Sequence, residues 1–145
     1  MMLLDANLLL YAYDALAEHH LQAREWLEQQ FAGTEPVALA WVTLIAFLRV
    51  STHRTALRNP FSMSESLEIV DSWLRQPRTV LLNPGTQHVA ILRRVILEGQ
   101  VTGRLVTDAH LAALALEHGA TLCTADRDFS RFAGLKTANP LDARA

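Results

Sequence analysis

The chain has 145 residues, half of them apolar, and a formal net charge of −2. This length predicts one domain, residues 1–145, large enough to bury a stable core. The small negative charge excludes a surface that is basic throughout, and the lack of like-charge runs or Pro/Gly-rich stretches excludes long disordered segments.

The chain is expected to be cytoplasmic and free of the membrane. Its longest apolar stretch, residues 37–48, is too short to cross a bilayer. The N-terminal segment MMLLDANLLL carries Asp5 and no basic lead-in, so it is a poor signal peptide. The single cysteine, Cys123, lies in an apolar segment, which favours a reducing compartment.

The first half of the chain alternates short apolar segments with helical patterns. The predicted elements are a strand at 2–4, helices at 7–13 and 18–31, a strand at 36–41, a helix at 42–51 and a loop at 52–61. The second helix has an apolar face predicted to run from Leu21 to Phe31, and Gly33 terminates it. The helix after the second strand is almost wholly apolar, so we expect it to be deeply buried.

The second half continues this alternation. It contains a helix between Ser64 and Pro77, a strand at 79–82, a helix at 87–98 terminated by Gly99, a helix at 108–118, a strand at 121–124, a short helix from Asp126 and a weak strand at 136–138. Short strands between helices predict an α/β fold with right-handed crossovers and a parallel sheet covered on both faces. The functional crevice of such a sheet lies at the carboxyl ends of its strands.

Three aspartates are placed near that predicted edge. Asp5 and Asp126 directly follow strands, and Asp108 precedes the helix that leads into the second of those strands. Singly, each suits a helix N-cap, which is the simpler interpretation. Together they would repel one another without a cation, and hard oxygen ligands favour Mg²⁺ or Mn²⁺.

Other chemistries fit the sequence less well. A zinc site needs closely spaced His and Cys, whereas this chain has one cysteine and six histidines without ligand spacing. An aspartyl-phosphate enzyme also begins with an aspartate after a strand. Such enzymes generally need a well-placed lysine, and the only lysine here is Lys136, near the C-terminus.

A span without acids predicts a local phosphate-binding surface. Residues 36–64 contain no Asp or Glu but include Arg49, Arg54 and Arg58. Arginine is well suited to bidentate phosphate contacts. The alternative is an ordinary solvated loop.

Several segments together resemble one known family. They are LLDANLLLYA near the start, FLRVSTHRTALRNPFSMSESL in the middle, GRLVTDAHLAALALEHGATLCTADRDFSRFAGL near the end and the closing NPL. They look like a PIN-domain ribonuclease, and more closely like the VapC toxins of bacterial type II toxin–antitoxin (VapBC) systems. The resemblance implies a three-layer α/β/α sandwich whose five-stranded parallel sheet has the order 3-2-1-4-5.

The resemblance also implies an activity and a set of site residues. Asp5, Asp108 and Asp126 would be the catalytic, metal-binding acids of an endoribonuclease that uses Mg²⁺ or Mn²⁺. Asn7 and Thr124 would hold those acids in place. The expected partners are an RNA substrate, a VapB-like antitoxin and a second copy of the chain.

One departure from the family pattern leaves alternatives open. Many relatives carry a glutamate in the helix after the second strand, where we place Phe47 in this chain. Asp128 is therefore a candidate to help hold a weaker second ion. The alternatives to a nuclease toxin are a catalytically weak PIN fold that binds RNA or another protein, and an unrelated α/β phosphohydrolase.

Overall fold

The computed structural model describes residues 1–142. Within them the strands are β1 (Met2–Leu4), β2 (Val37–Leu39), β3 (Thr79–Leu81), β4 (Thr121–Cys123) and β5 (Thr137–Ala138). The helices are α1 (Ala6–Tyr13), α2 (His20–Ala32), α3 (Trp41–Ser51), α4 (Met63–Leu74), α5 (His88–Gly99), α6 (Leu105–His118) and a 3₁₀ helix (Arg127–Arg131).

The five strands form one parallel sheet in the order β3-β2-β1-β4-β5. β1 lies at its centre, with Leu3 paired to Ala38 of β2 and to Leu122 of β4. The predicted α/β fold and strand order are thereby confirmed. Because all five strands run the same way, the residues that follow β1 and β4 lie at the same edge.

Two apolar cores cover the two faces of the sheet. Successive strand residues point to opposite faces, so Leu3 packs in a cluster with residues of α5 and α6. Leu4 and Cys123 pack in a second cluster with residues of α1, α2, α3 and α4. This arrangement is the three-layer sandwich that the family resemblance implied.

Helix α3 is less buried than predicted. Trp41 is 50% exposed and Ile45 is 59% exposed, whereas Leu44 and Phe47 are fully buried. Residues four apart share a helix face, so one apolar face of α3 points outward while the other packs on α1 and α4. The expectation of deep burial was wrong because an all-apolar helix carries no signal for its inner face.

The inner face of α2 also differs from the prediction. Leu21 is 73% exposed, while the buried residues are Ala23 and Leu27. These two lie four residues apart on one face, and Leu21, two residues before Ala23, lies on nearly the opposite side.

The start of α6 was predicted three residues too late. The helix begins at Leu105, with Arg104 as an N-cap that makes no side-chain capping bond. Gly103 has a φ of 62°, which turns the chain just before the helix. Asp108 is therefore the fourth residue of α6, within its first turn, and is not a cap.

Two other helix ends differ slightly. α4 begins after Ser62, whose hydroxyl accepts from the Glu65 N–H in a capping box, and not after Ser64. α5 includes Gly99, and Gln100 takes the left-handed conformation with a φ of 52°. No helix within residues 1–142 has the length and apolar composition to cross a membrane.

Candidate active site

The carboxylate of Asp5 is fixed at the end of β1 by two hydrogen bonds. Its Oδ1 atom accepts from the backbone N–H of Ala6 at 2.7 Å, which caps α1. Its Oδ2 atom accepts from the hydroxyl of Thr124, directly after β4, at 2.7 Å. The backbone N–H of Asp5 donates to the carbonyl of Cys123 at 2.9 Å. The first carboxylate is therefore positioned by the two central strands.

Asn7 and Thr124 connect the start of α1 to the chain after β4. Asn7 Nδ2 donates to Thr124 Oγ1 at 3.3 Å, and Asn7 Oδ1 accepts from the Ala125 N–H at 3.3 Å. Thr124 Oγ1 also accepts from the Asp126 N–H at 3.0 Å. With its bond to Asp5, this buried hydroxyl uses one donor and two acceptor positions, its full capacity. Through these contacts Asn7 and Thr124 are positioned to hold Asp5 and Asp126 in place.

Asp126 and Asp128 lie at the start of the 3₁₀ helix. Asp126 Oδ1 accepts from the Asp128 N–H at 2.9 Å, so Asp126 is the N-cap of this helix. Asp128 is in its first turn, as expected, and is half-buried. Among residues 1–142, the second carboxylate oxygen of Asp126 makes no hydrogen bond and remains available to a ligand.

Asp108 lies in the field of the other acids. Burial, followed by the charges of Asp126, Asp5 and Asp128, raises the pKa of Asp108 to about 6, and the Arg104 guanidinium opposes this only weakly. Burial is also the main cause that raises the pKa of Asp5, with a smaller contribution from Asp126. The hydrogen bonds from Thr124 and Ala6 lower the pKa of Asp5 and offset part of that increase. The four carboxylates thus share one electrostatic site.

A cleft of about 350 Å³ opens beside these acids, between the start of α1, α3 and α6. Its lining residues are Asp5, Ala6, Val42, Thr43, Ala46, Arg49, Arg104, Thr107, Asp108 and Leu111. Asp126 lines a separate depression of about 400 Å³ together with Thr124 and Arg127. Two of the three predicted acids therefore share the first cleft, and the third lines the separate depression.

The donor set fits a hard divalent ion that is held loosely. Within residues 1–142 no three His, Cys, Asp or Glu side chains are already arranged to hold a metal ion. Mg²⁺ does not need such a cage, because it usually keeps several waters and binds one or two carboxylates together with substrate phosphates. Burial, with the like charges of Asp126, Asp5 and Asp128 as smaller contributions, raises the pKa of Asp108, and a cation would favour its charged form.

The sequence pattern of the PIN domain matches residues 2–135. This chain belongs to the PIN-domain family. Ribonuclease VapC37 of Mycobacterium tuberculosis is 40% identical to it over 140 residues, which cover 97% of each chain. Ribonuclease VapC43 of the same organism is 37% identical over 144 residues, covering 99% of this chain and 98% of that relative. The family resemblance found in the sequence motifs is confirmed.

The fold is similar to that of solved PIN-domain complexes. In the crystal structure of VapBC2 from Rickettsia felis, bound to a promoter DNA fragment, one chain matches with a TM-score of 0.69 and 19% identity. The match covers 95% of this chain and 97% of that one. At this identity the likeness concerns the fold alone.

The position assigned to Phe47 in this PIN domain needs correction. Its ring packs against Trp73, with ring centroids 4.7 Å apart, and it is fully buried in the core formed with α4. A residue at position 47 therefore faces away from the acids. The α3 residue at the adjacent position, Ala46, lines the cleft with Asp5 and Asp108. Ala46 is the place from which an acid on α3 would reach this site.

The three predicted RNA-binding arginines do not lie together beside the acids. Arg49, on α3, lines the cleft that contains Asp5 and Asp108. Arg54 and Arg58 are exposed in the segment between α3 and α4 and do not line it. Of the three arginines, Arg49 alone lines the cleft that contains Asp5 and Asp108.

Sequence analysis missed three polar residues of the cleft, Thr43, Arg104 and Thr107. Arg104 precedes Asp108 by four residues, a spacing that places them on one helix face, but the helix was predicted to start too late for this to be seen. Thr43 lies within the apolar segment of α3, where a single hydroxyl gives no signal of its own.

Replacing Asp108 by Asn should stabilise the metal-free protein at neutral pH. Because the pKa of Asp108 is raised from 3.8 to about 6, the folded chain keeps a proton on this carboxyl at pH values where the unfolded chain has released it. Above about pH 6 the charged carboxylate lowers the free energy of unfolding by its full amount. This penalty disappears as the pH falls toward 4. Because Asp108 is partly exposed, we expect a gain on the order of 1 kcal/mol.

The measurement is chemical unfolding in EDTA at pH 8 and pH 5. Asp108→Asn should exceed the wild type at pH 8, and the difference should shrink at pH 5. Asp71→Asn, at an exposed position of α4, is the matched control. A variant that is equally destabilised at both pH values would indicate that Asp108 has a structural role in α6 instead.

Proposed function

We propose that this PIN domain is a divalent-metal-dependent endoribonuclease that acts as the toxin of a toxin–antitoxin pair. The observation that carries the proposal is the gathering of Asp5, Asp108 and Asp126 at one edge of the sheet, where burial and mutual repulsion raise the pKa of Asp108 to about 6. Relatives named VapC ribonucleases, 40% and 37% identical over nearly the whole chain, support the substrate class.

Each acid would have a distinct part in the reaction. Asp5 is rigidly held and would bind Mg²⁺ or Mn²⁺ with a fixed orientation. Asp108 would be the adjustable ligand, because its charge is the least stable of those in the cleft when no cation is bound. Asp126 would use its free oxygen while the other caps the 3₁₀ helix. A divalent ion in this place supplies activation of water near neutral pH and neutralises charge on the phosphate.

The proposed partners are an antitoxin similar to VapB and a second copy of this chain. Solved proteins with a similar fold are toxin–antitoxin complexes from Salmonella typhimurium and Klebsiella pneumoniae. Exposed large apolar residues lie on several helices and include two pairs, Trp41 and Ile45 on α3 and Val89 and Leu97 on α5. Exposed apolar patches commonly mark protein interfaces, so these two surfaces support the expectation of protein partners.

A second candidate function is RNA binding with weak catalysis. The observation that favours it is the α3 wall of the cleft, which offers Val42, Thr43, Ala46 and Arg49 but no carboxylate. A smaller acid set would hold the metal less tightly. The two candidates differ in one readout: the toxin cleaves RNA with turnover, while the binder retains RNA without cutting it.

Cleavage should require the divalent metal and all three acids. Purified protein incubated with total cellular RNA and Mg²⁺ or Mn²⁺ should produce new RNA ends, and EDTA should abolish them. Asp5→Asn, Asp108→Asn and Asp126→Asn should each lower the rate by at least about 100-fold, because each removes a charge from the metal site. The readout is mapping of the new ends by sequencing.

The control for these variants is Asp71→Asn, whose position on α4 is exposed. It should cleave at the wild-type rate. All variants should keep the wild-type circular dichroism spectrum. Wild-type cleavage by Asp108→Asn with the same metal would show that the site is misassigned, and RNA binding without cleavage by the wild-type protein would favour the second candidate.

Asp128 should affect the amount of metal required and not the capacity to cleave. It contributes to the raised pKa of Asp108, so its charge reaches the site, yet it lies in the first turn of the 3₁₀ helix, where a carboxylate is also favoured by the helix dipole. Asp128→Asn should raise the metal concentration for half-maximal cleavage by about tenfold. Asp126→Asn should prevent cleavage at every metal concentration. An unshifted titration curve for Asp128→Asn would show that Asp128 only stabilises the start of the 3₁₀ helix and has no part in metal binding.

Arg54 and Arg58 should contribute to RNA affinity through charge alone. Both are exposed, so each is able to neutralise one phosphate. In EDTA, where RNA is not cut, the double change to Gln should weaken RNA binding. It should also reduce the slope of log affinity against log salt by about 1.4, roughly 0.7 per contact on single-stranded RNA.

The matched control changes Arg75 and Arg78 to Gln. Both are exposed, and Arg78 directly precedes β3, at the sheet edge opposite the acids. This control has the same loss of charge and should leave the slope nearly unchanged. Equal slopes for the two double variants would assign Arg54 and Arg58 to a solvated loop or to an antitoxin contact.

A further inference from the structure

The cleft beside Asp5 and Asp108 has a basic component as well as an acidic one. Arg49 from α3 and Arg104 from the start of α6 both line it. The ion pairs between side chains of residues 1–142 involve neither of these guanidinium groups. Two arginines therefore lie in a cleft with carboxylates without being neutralised by them. Their charge is available for an anionic ligand.

Arg104 occupies a position that disfavours a cation. It is the N-cap residue of α6, where the helix dipole places a partial positive charge. It makes no capping bond, and the cap position prefers Ser, Thr, Asp or Asn. Within residues 1–142 its favourable neighbour is Asp108, one turn further along α6, whose pKa it lowers only weakly. An anion in the cleft would be a second partner for its charge.

Thr43 also lines this cleft, and its hydroxyl is buried in the wall without a partner in the described part of the chain. The residue is 2% exposed, and its Oγ1 atom has no hydrogen-bond partner among residues 1–142. The usual acceptors for a helical threonine are the carbonyls three and four residues earlier. Those of Ala40 and Leu39 already accept backbone N–H groups, from Thr43 and Leu44 in the first case and from Leu82 in the second. A buried hydroxyl without a partner is unfavourable, and a ligand oxygen would satisfy it.

The N-terminus of α3 adds to the positive character of this wall. α3 begins directly after β2, at the sheet edge that also carries Asp5. Ala40 provides no side-chain cap, and the first turn contains no acid. The start of a helix with free dipole and nearby arginine favours phosphate oxygens.

We propose that Thr43, Arg49 and Arg104 form a phosphate clamp that binds a backbone phosphate of the RNA next to Asp5 and Asp108. The proposal rests on the proposed function and adds the residues that position the substrate. Arg49 and Arg104 donate to the non-bridging oxygens, and the Thr43 hydroxyl donates to one of them. The acids hold the cation and the clamp holds the anion, so the phosphate is fixed between opposite charges.

RNA binding in EDTA separates the clamp from catalysis. Fluorescence anisotropy of a short labelled single-stranded RNA measures affinity at several salt concentrations. Arg49→Gln and Arg104→Gln should each weaken binding about tenfold, and each should reduce the salt slope by roughly 0.7. Arg75→Gln, at an exposed position at the end of α4, is the control and should change affinity little. Binding by both clamp variants that equals that of Arg75→Gln would overturn the proposal.

Substitutions at Thr43 distinguish a role in RNA binding from a role in the stability of the fold. Thr43→Val keeps the shape of the side chain and removes the unpaired hydroxyl. It should therefore bind RNA about threefold to tenfold more weakly, while its melting temperature equals or exceeds that of the wild type. Thr43→Ser keeps the hydroxyl and should retain most of the affinity. A lowered melting temperature for Thr43→Val with unchanged RNA affinity would assign the hydroxyl to the fold and remove it from the clamp.

The failure of the clamp is distinguishable from the failure of the proposed nuclease. Metal-dependent cleavage by the wild type, with unchanged RNA affinity in all clamp variants, would retain the nuclease and reject the clamp. Weakened binding in the clamp variants, without cleavage by the wild type at any metal concentration, would retain the clamp and reject the nuclease.

Discussion

The hydrogen bond from the Thr124 hydroxyl to Asp5 connects the ends of β1 and β4, at the edge of the sheet where the acids lie. It is 2.7 Å long and is supported by bonds to the same hydroxyl from Asn7 and from the Asp126 backbone. It joins positions 119 residues apart in sequence, and it is possible only because β1 pairs directly with β4. Loss of the Thr124 hydroxyl would free one oxygen of the Asp5 carboxylate and leave the Asp126 N–H unpaired, so the site depends on the order of the sheet.

Bringing several carboxylates together lowers the stability of the fold. The structure offsets this cost at Asp5 but hardly at Asp108. The carboxylate of Asp5 is compensated by two hydrogen bonds, whereas Asp108 has only the weak influence of Arg104 against burial and three like charges. The cleft consequently has carboxylates whose charge a cation would compensate and two arginines whose charge an anion would compensate. Under the proposed function, a metal ion together with an RNA phosphate would satisfy both requirements, and neither ligand alone would do so. This polarity connects the electrostatics of the fold to the proposed chemistry.

The sequence predicted the parts of this arrangement that depend on local signals. Short apolar strands bounded by turns were sufficient for the sheet, and Asp5 and Asp126 were identified because a charge directly follows each strand. The phase of α3 could not be predicted, because an almost wholly apolar helix has no periodicity to distinguish its inner face. The family resemblance placed the relatives' glutamate at Phe47, and no periodicity was available to correct this to Ala46, which lines the cleft. The start of α6 was missed because the preference of Asp for N-caps outweighed the turn at Gly103, and Arg104 was missed with it.

The identity of the residue at position 46 determines what α3 contributes to the cleft. A carboxylate there would add to the repulsion around Asp108 and would lie on the same helix as Arg49, in a cleft of about 350 Å³ that Arg104 also lines. With Ala46 the same wall carries only a hydroxyl, a guanidinium and the start of a helix, and each of these attracts phosphate oxygens. An α3 wall without an acid therefore offers more to a phosphate than to a metal ion. Under the proposed function, an RNA phosphate in the cleft would supply oxygen ligands that α3 lacks, and Mg²⁺ commonly binds substrate phosphates together with one or two carboxylates.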